Sequence, residues 1–169
     1  MIQVFTTGGT IDKVYFDAQS DFEVGDPLVA EILHTSGARL PFEVETLLRK
    51  DSLDITEEDR RAVAGRIAEC AAERVLVTHG TDTMAETARA AADALGRDST
   101  KTVVFVGSLT PARFRETDAE FNVGFAWAAL QMLPPGVYVA MNGKVFGARS
   151  VQKNRGANRF EDTREPEAA

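Results

Sequence analysis

The sequence has few of the residues that form disulfides, bind metals or cross membranes. One cysteine, Cys70, and two histidines occur in 169 residues, too few for a disulfide framework or a zinc site. No apolar run approaches the roughly 18 residues that a membrane-spanning helix needs. The N-terminus lacks the basic segment and long apolar segment of a secretory signal. These absences predict a protein of the reducing cytoplasm with no membrane partner and no metal.

Basic side chains are also in the minority. Lysine and arginine number 19 against 26 acidic residues, giving a net charge of −7 at pH 7. Phosphate backbones repel a chain of this sign, so nucleic acid is excluded as the main partner. Apolar material is plentiful, since hydrophobic residues make up 44% of the chain. The length suits one domain. We expect a domain over residues 1–155 and a polar tail over 156–169, with fraying from about Asn154.

Apolar runs alternate with helical periodicities along the chain. Five runs rich in β-branched or aromatic residues are typical of buried strands: Ile2–Phe5, Phe42–Leu48, Val75–Val77, Val103–Val106 and Val137–Met141. Helical patterns lie between them, at Pro27–His34, Thr56–Glu73, Thr83–Leu95 and Thr117–Leu133. This alternation predicts a three-layer, doubly wound α/β fold with a mainly parallel sheet and helices on both faces.

The loop after the first strand is the first candidate for a site, because parallel sheets bind ligands beyond the carboxyl ends of their strands. It reads Thr6-Thr7-Gly8-Gly9-Thr10-Ile11, and its paired glycines allow a sharp turn that brings main-chain amides close to a ligand. Neither common nucleotide-binding fingerprint is present. A plain strand-to-loop turn explains the segment equally well.

The loop after the third strand reads His79-Gly80-Thr81-Asp82-Thr83. A cluster of residues that cap the next helix is the simplest interpretation. However, Thr83 and Glu86 predict a capping box by themselves. Thr81 and Asp82 are therefore not needed to cap the helix. A hydroxyl beside a carboxylate at this place suits catalysis. His79 is assigned no catalytic role, since a lone histidine at a strand end is usually packed and hydrogen-bonded.

Taken together, these segments resemble the bacterial-type L-asparaginases in order and spacing. The matching segments are Thr7–Ile11, Val77–Ala88, Val104–Ser108 with Pro111, and Asp118 followed by Phe121-Asn122. The resemblance spans about residues 2–155 and covers only the N-terminal domain of that family. It implies that residues 1–155 form a catalytic domain, with L-asparagine as substrate, no cofactor, and a homo-oligomer, either a dimer or a tetramer.

The resemblance also assigns catalytic roles to individual residues. Thr10 matches the threonine that attacks the side-chain amide, and Thr81 matches the second threonine of the family. Asp82 matches the aspartate that binds the α-amino group, and Lys153 the lysine paired with them. A threonine hydroxyl needs a base to take its proton, and a neutral lysine or a tyrosine phenolate can serve. Attack gives an acyl-enzyme and ammonia, and water completes the hydrolysis.

Further residues are implied for substrate binding. Ser52 matches the serine that holds the α-carboxylate. Main-chain amides of Gly9 and Thr10, and those around Gly80 and Thr81, are expected to stabilise the oxyanion.

The sequence departs from the family pattern at three points. Phe22 stands where the family has a tyrosine, so we expect Tyr15 to supply the phenol from a mobile loop spanning about Asp12–Gly25. Tyr138 is excluded because it falls in a predicted buried strand. Leu53 replaces a glutamine that helps to grip the substrate. The acidic residue that a neighbouring subunit's second domain contributes is also missing.

Three functions are consistent with the sequence. An L-asparaginase is favoured. Hydrolysis of glutamine or of another asparaginyl amide is an alternative, because a more open pocket would accept a larger substrate. A non-catalytic, amino-acid-binding regulatory module is the third, and the presence of Thr10, Thr81, Asp82 and Lys153 argues against it.

Overall fold

The structure is a computed structural model that describes residues 1–16 and 21–163, without the side chains of residues 15, 16, 21 and 22. The strands of this part are β1 Ile2–Gly8, β2 Lys13–Phe16, β3 Asp21–Val24, β4 Phe42–Lys50, β5 Arg74–Thr78, β6 Thr102–Val106, β7 Gly136–Met141, β8 Lys144–Gly147, β9 Val151–Asn154 and β10 Arg159–Asp162. The α-helices are α1 Val29–Thr35, α2 Glu57–Glu69, α3 Met84–Leu95 and α4 Ala119–Met132.

Six strands form the central sheet, in the order β4-β1-β5-β6-β7-β8. The first five are parallel, and β8 is antiparallel to β7. Counted along the chain, the parallel strands have the order 2-1-3-4-5. The chain therefore passes from β1 to one side of the sheet and then returns to the other side for β5. Such a switch point opens a crevice at the carboxyl ends of the two strands, here β1 and β5.

Helices cover both faces of this sheet. Helix α2 packs beside α3, which contacts β7, whereas α1 packs beside α4, which contacts β5, β6 and β7. All five residues of β6 are buried, and successive side chains of a strand point to opposite faces. Both faces are therefore shielded from water, and the predicted three-layer α/β fold is confirmed.

The five predicted strands and four predicted helices are present, with small differences at their ends. The predicted burial of Phe42–Leu48 is wrong, because β4 lies at the edge of the sheet and has no buried residue. Helix α2 begins with the expected capping box, since the Thr56 hydroxyl accepts the Asp59 amide (3.2 Å) and the Asp59 carboxylate accepts the Thr56 amide (2.9 Å). It ends at Glu69 rather than Glu73, because Cys70 already has extended backbone angles. The alanines after Cys70 therefore lie outside the helix.

Three hairpins among the described residues were not predicted, and one of them is β7–β8, in which β8 forms the antiparallel edge of the central sheet. Strands β2 and β3 pair within the segment expected to be a loop. Strands β9 and β10 pair beyond residue 150, with Phe160 opposite Lys153 and packed near Phe146. The prediction of fraying from Asn154 is therefore wrong as far as Thr163, because a buried aromatic side chain anchors this segment. The division of the chain at residue 155 remains a prediction.

Candidate active site

Three loops meet at the switch point between β1 and β5. A Cβ atom added to Gly9 would lie 2.3 Å from the Gly80 Cα, and one added to Gly80 would lie 2.6 Å from the Ser52 Cβ. Gly9 also has a φ of 90°, which residues with side chains rarely adopt. The loops after β1, β4 and β5 are thus in direct contact, and the two glycines make that contact possible.

Thr10 begins a 3-10 turn, Thr10–Asp12, at the end of the glycine pair. The turn is tied down by main-chain hydrogen bonds from Gly9 N–H to the Lys50 carbonyl (3.0 Å) and from Ala112 N–H to the Ile11 carbonyl (3.1 Å). Thr10 itself is half-buried. Because the Gly9 amide is already bonded, the Thr10 amide is the candidate oxyanion donor from this turn.

Lys153 joins the side chains of Thr81 and Asp82. Its Nζ donates to Thr81 Oγ1 at 2.6 Å and to Asp82 Oδ1 at 2.8 Å. The Lys153 side chain is only 7% exposed, whereas that of Asp82 is 35% exposed. The carboxylate compensates the charge of a nearly buried ammonium group and still presents a face to solvent. In its neutral form, the same amine is placed to accept a proton from the Thr81 hydroxyl.

Strand β9 brings Lys153 to this position. Helix α3 holds the strand through Arg89, which donates to the Val151 carbonyl at 2.9 Å. Arg155, just beyond the strand, donates to the Asp82 carbonyl at 3.4 Å. A lysine some seventy residues away in the chain therefore reaches Thr81 through tertiary contacts.

Ser52 is buried beside Gly80. It begins a 3-10 turn, Ser52–Asp54, whose first amides are capped by Asp51 through a 3.0 Å bond from Leu53 N–H. The Thr83 hydroxyl donates to the Ser52 carbonyl at 2.6 Å. The capping box predicted for Thr83 and Glu86 is therefore wrong, because this hydroxyl joins the β4 and β5 loops instead of capping α3.

His79 is fully buried next to this site. Its Nδ1–H donates to the Gly80 carbonyl (2.8 Å), and its ring packs against Phe105. Nε2 finds no partner among the described residues. Burial lowers the pKa of His79 to about 4, so the ring is neutral at neutral pH. It supports the Gly80 turn, as expected for a packed histidine.

A second polar cluster joins the ends of β6 and β7. The Asp118 carboxylate accepts the amides of Leu109 and Thr110, each at 3.0 Å. Asn122 donates to the Gly107 carbonyl (3.1 Å) and accepts the Asn142 amide (3.0 Å). Asp118 and Asn122 therefore hold the loops after β6 and β7 in place.

The two tyrosines lie in different parts of the fold. Tyr15 is in β2, and the backbone register sets it opposite Phe22. Its side chain lies outside the described part, so its catalytic role remains a prediction. Tyr138 is in β7, as predicted, and is half-buried. Its hydroxyl donates to the Pro134 carbonyl (3.2 Å), near the amino end of the strand and away from the candidate site.

Asp12 is a buried acidic residue beside Thr10 that the sequence did not predict. Only 1% of it is exposed, its Oδ1 accepts the Leu28 amide at 3.0 Å, and its main-chain carbonyl accepts the Gly25 amide at 2.8 Å. Burial raises the pKa of Asp12 to about 7, against the opposing effects of the Leu28 hydrogen bond and the Arg113 and Arg49 charges. The local sequence, a single acidic residue after Ile11, does not indicate that this carboxyl is buried.

The raised pKa of Asp12 predicts a pH-dependent loss of stability. Between about pH 4 and pH 7 the folded protein retains a proton that the unfolded chain releases, so the free energy of unfolding falls as pH rises through this window. The loss amounts to at most about 4 kcal/mol and levels off above about pH 7. The side chain introduced by Asp12→Asn cannot ionise, so the free energy of unfolding of this variant should not fall in this pH window. Urea denaturation at pH 4.5, 6 and 8 measures the difference, with the exposed Asp98→Asn as matched control. A difference in the free energy of unfolding between Asp12→Asn and the parent that is the same at all three pH values would contradict this prediction.

Over residues 1–16 and 21–163, no group of three or more His, Cys, Asp or Glu side chains is arranged to hold a metal ion. No helix of this part is long and apolar enough to cross a membrane. Cys70 is a buried free thiol that donates to the Ile67 carbonyl.

The fold is a doubly wound α/β domain with a cluster of polar side chains at its switch point. The chain belongs to the asparaginase family, since the family model described as "Asparaginase, N-terminal" matches residues 1–167.

Individual relatives agree with this membership. The L-asparaginase of Thermococcus kodakarensis is 31% identical over 173 residues, which cover 98% of this chain and 52% of the relative. Its solved structure superposes with a TM-score of 0.83 at 28% identity, with the same coverage.

A probable cytoplasmic L-asparaginase from Campylobacter jejuni gives a TM-score of 0.79 at 29% identity, covering 95% of this chain and 52% of that one. A probable periplasmic L-asparaginase from Haemophilus influenzae is 32% identical, covering 90% and 46%. The chain thus spans about half the length of these relatives.

Proposed function

We propose that this chain is an L-asparaginase, which hydrolyses the side-chain amide of L-asparagine to L-aspartate and ammonia through a threonine acyl-enzyme. The contact of Lys153 with Thr81 and Asp82, beside the Gly9–Thr10 turn, carries this proposal. Family membership and the names of the relatives support the same reaction.

The proposed reaction begins when the Thr10 hydroxyl attacks the amide carbon and loses its proton to a base. The tetrahedral oxyanion is stabilised by main-chain amides, with Thr10 and Thr81 as the candidate donors. Collapse of this intermediate expels the nitrogen as ammonia, once it has gained a proton, and leaves an ester on Thr10. Water then attacks the ester, releasing aspartate and restoring the hydroxyl.

Two loops are proposed to hold the amino-acid end of the substrate. The solvent-facing part of the Asp82 carboxylate binds the α-ammonium group, since Lys153 occupies only Oδ1. The buried Ser52 hydroxyl, beside Gly80, binds the α-carboxylate. The amide of asparagine then points towards Thr10 across the glycine contact.

A coupled ammonia assay with asparagine and with glutamine tests the proposal. Release from asparagine, with little from glutamine, is the expected result, because an extra methylene moves the glutamine amide away from the oxyanion donors. Preferential release from glutamine would replace the proposed substrate. Binding of asparagine without any ammonia would favour a regulatory module.

Leu53 is expected to weaken binding of the substrate. Its side chain is 61% exposed next to Ser52 and offers no hydrogen bond. A hydrogen bond to a charged group is worth roughly 1.5–3 kcal/mol, so its absence should raise KM for asparagine about ten-fold or more. Leu53→Gln should therefore lower KM with little change in kcat. A micromolar KM in the parent, or an unchanged KM in Leu53→Gln, would contradict this expectation.

Tyr15 is proposed to assist the nucleophile. Its strand follows the Thr10 turn directly, and its backbone stands opposite Phe22, where the family tyrosine is lost. Tyr15→Phe should lower kcat by about 10²–10⁴, the range for losing an acid–base partner. Tyr138→Phe is the matched control and should retain nearly full turnover. Steady-state assays of both variants test this role of Tyr15. Equal kcat in Tyr15→Phe and the parent would show that Tyr15 does not assist the nucleophile.

A cytoplasmic homo-oligomer, a dimer or a tetramer, is proposed as the working form. The buried free thiol of Cys70 suits a reducing compartment, and one solved relative is a probable cytoplasmic L-asparaginase. Exposed apolar side chains on α4, Phe121 and Met132, provide surface for self-association. Light scattering of the purified protein measures the assembly, and a monomer at all concentrations would contradict it.

A further inference from the structure

Asp12 holds both ends of one segment of the chain. Its main-chain carbonyl accepts the Gly25 amide and its side-chain Oδ1 accepts the Leu28 amide. Between these points lies the β2–β3 hairpin, whose strands run Lys13–Phe16 and Asp21–Val24. One buried residue therefore closes the base of the hairpin through two different oxygen atoms.

The same residue belongs to the turn that carries Thr10. The Asp12 amide donates to the Gly9 carbonyl at 3.2 Å, which closes the 3-10 turn over Thr10 and Ile11. The next residue, Lys13, starts β2, so Thr10 and Tyr15 lie on either side of Asp12 in the chain. A displacement of Asp12 would move the two proposed reacting groups relative to one another.

We propose that Asp12 is a positioning residue that fixes the Thr10 turn and the β2–β3 hairpin in one arrangement, through its hydrogen bonds to Leu28 and Gly25. The effect on turnover rests on the proposed function. The closure of the hairpin is a property of the fold and is measured without substrate.

An uncharged acceptor is sufficient for this role. Leu28 is buried, and its amide costs free energy if it is left without an acceptor. Asparagine retains an oxygen at the position of Oδ1, whereas alanine removes it. The charged groups acting on the carboxyl are Arg113, from the loop after β6, and Arg49, from β4, and burial raises the pKa of Asp12 to about 7. Near pH 6 the carboxyl is therefore mainly neutral, which makes asparagine its close mimic.

The test combines amide hydrogen exchange with steady-state kinetics at pH 6. Asp12→Ala should accelerate exchange at Leu28 and Gly25 and lower kcat by about 10–100-fold, since a misplacement near 1 Å can cost about 10²-fold in rate. KM should change much less, because the proposed binding residues lie on other loops. Asp12→Asn should keep the protection and restore kcat to near the parent value. Asp98→Ala and Asp98→Asn, at the exposed loop before β6, are the matched controls.

A second variant covers the case in which Asp12→Ala does not fold. Gly25→Pro removes the main-chain donor to Asp12, on a partly exposed loop, and should lower kcat in the same direction. Gly25→Ala is its control, since it keeps that donor and adds only a Cβ near Val14 and the Asp12 carbonyl. Unchanged exchange at Leu28 and Gly25 in Asp12→Ala would overturn the proposal. So would equal losses of kcat in Asp12→Asn and Asp12→Ala, or full activity in Gly25→Pro. If the parent releases no ammonia, the proposed function fails, while hydrogen exchange still decides the role of Asp12 in closing the hairpin.

Discussion

Thr10→Val should lower kcat for asparagine by about 10⁴-fold or more, because it removes the proposed nucleophile and leaves only binding and electrostatic effects. Valine has nearly the same shape as threonine. The turn around Thr10 is held by main-chain bonds from Gly9 and Ala112, which valine leaves in place. The fold should therefore be preserved, and ammonia release together with a thermal melt measures the two effects separately.

Two variants serve as controls for Thr10→Val. Thr10→Ser keeps a hydroxyl and should retain measurable turnover. Thr100→Val makes the same change at an exposed position before β6 and should retain full turnover. Residual activity above about a tenth of the parent in Thr10→Val would show that another group attacks the amide, since loss of a nucleophile costs far more than ten-fold.

Lys153→Met should lower kcat by about 10²–10⁴, the usual range for an acid–base group. Methionine has a similar length but no amine, so Thr81 loses its 2.6 Å hydrogen bond and Asp82 its 2.8 Å ion pair. Lys144→Met, on the exposed surface of β8, is the matched control and should retain full kcat.

Arginine at position 153 separates charge from proton transfer. Its guanidinium keeps the positive charge near Asp82 but cannot act as a base. We therefore expect Lys153→Arg to be about as slow as Lys153→Met. Parent-like turnover in Lys153→Arg would show that only the charge of Lys153 is needed, and parent-like turnover in Lys153→Met would remove the residue from the mechanism.

The central strands of the sheet could be predicted because they are buried on both faces. Strands such as β6, with five buried residues, appear in the sequence as continuous apolar runs. The β2–β3 and β9–β10 hairpins have four-residue strands of mixed polarity. Their pairing depends on packing against the rest of the molecule, which short sequence patterns do not contain.

The site could be predicted in part for a similar reason. Thr81 and Asp82 stood out because they follow a buried strand, and the structure places both after β5 in contact with Lys153. Thr83 has the sequence pattern of a capping box, yet a tertiary contact with the Ser52 carbonyl takes its hydroxyl. The burial of Asp12 is also tertiary, since it depends on the return of the chain at Leu28.

The position of the covalent adduct tests the central claim most directly. Thr10 follows two glycines at the loop contact, whereas the Thr81 hydroxyl is bonded to Lys153, so we assign the attack to Thr10 and its activation to the Thr81–Lys153 pair. The parent, Thr10→Val and Thr81→Val proteins are treated with an electrophilic asparagine analogue and mapped by peptide mass spectrometry. The adduct should lie on Thr10 in the parent, form more slowly on Thr10 in Thr81→Val, and be absent from Thr10→Val. An adduct on Thr81 in the parent protein would contradict the assignment.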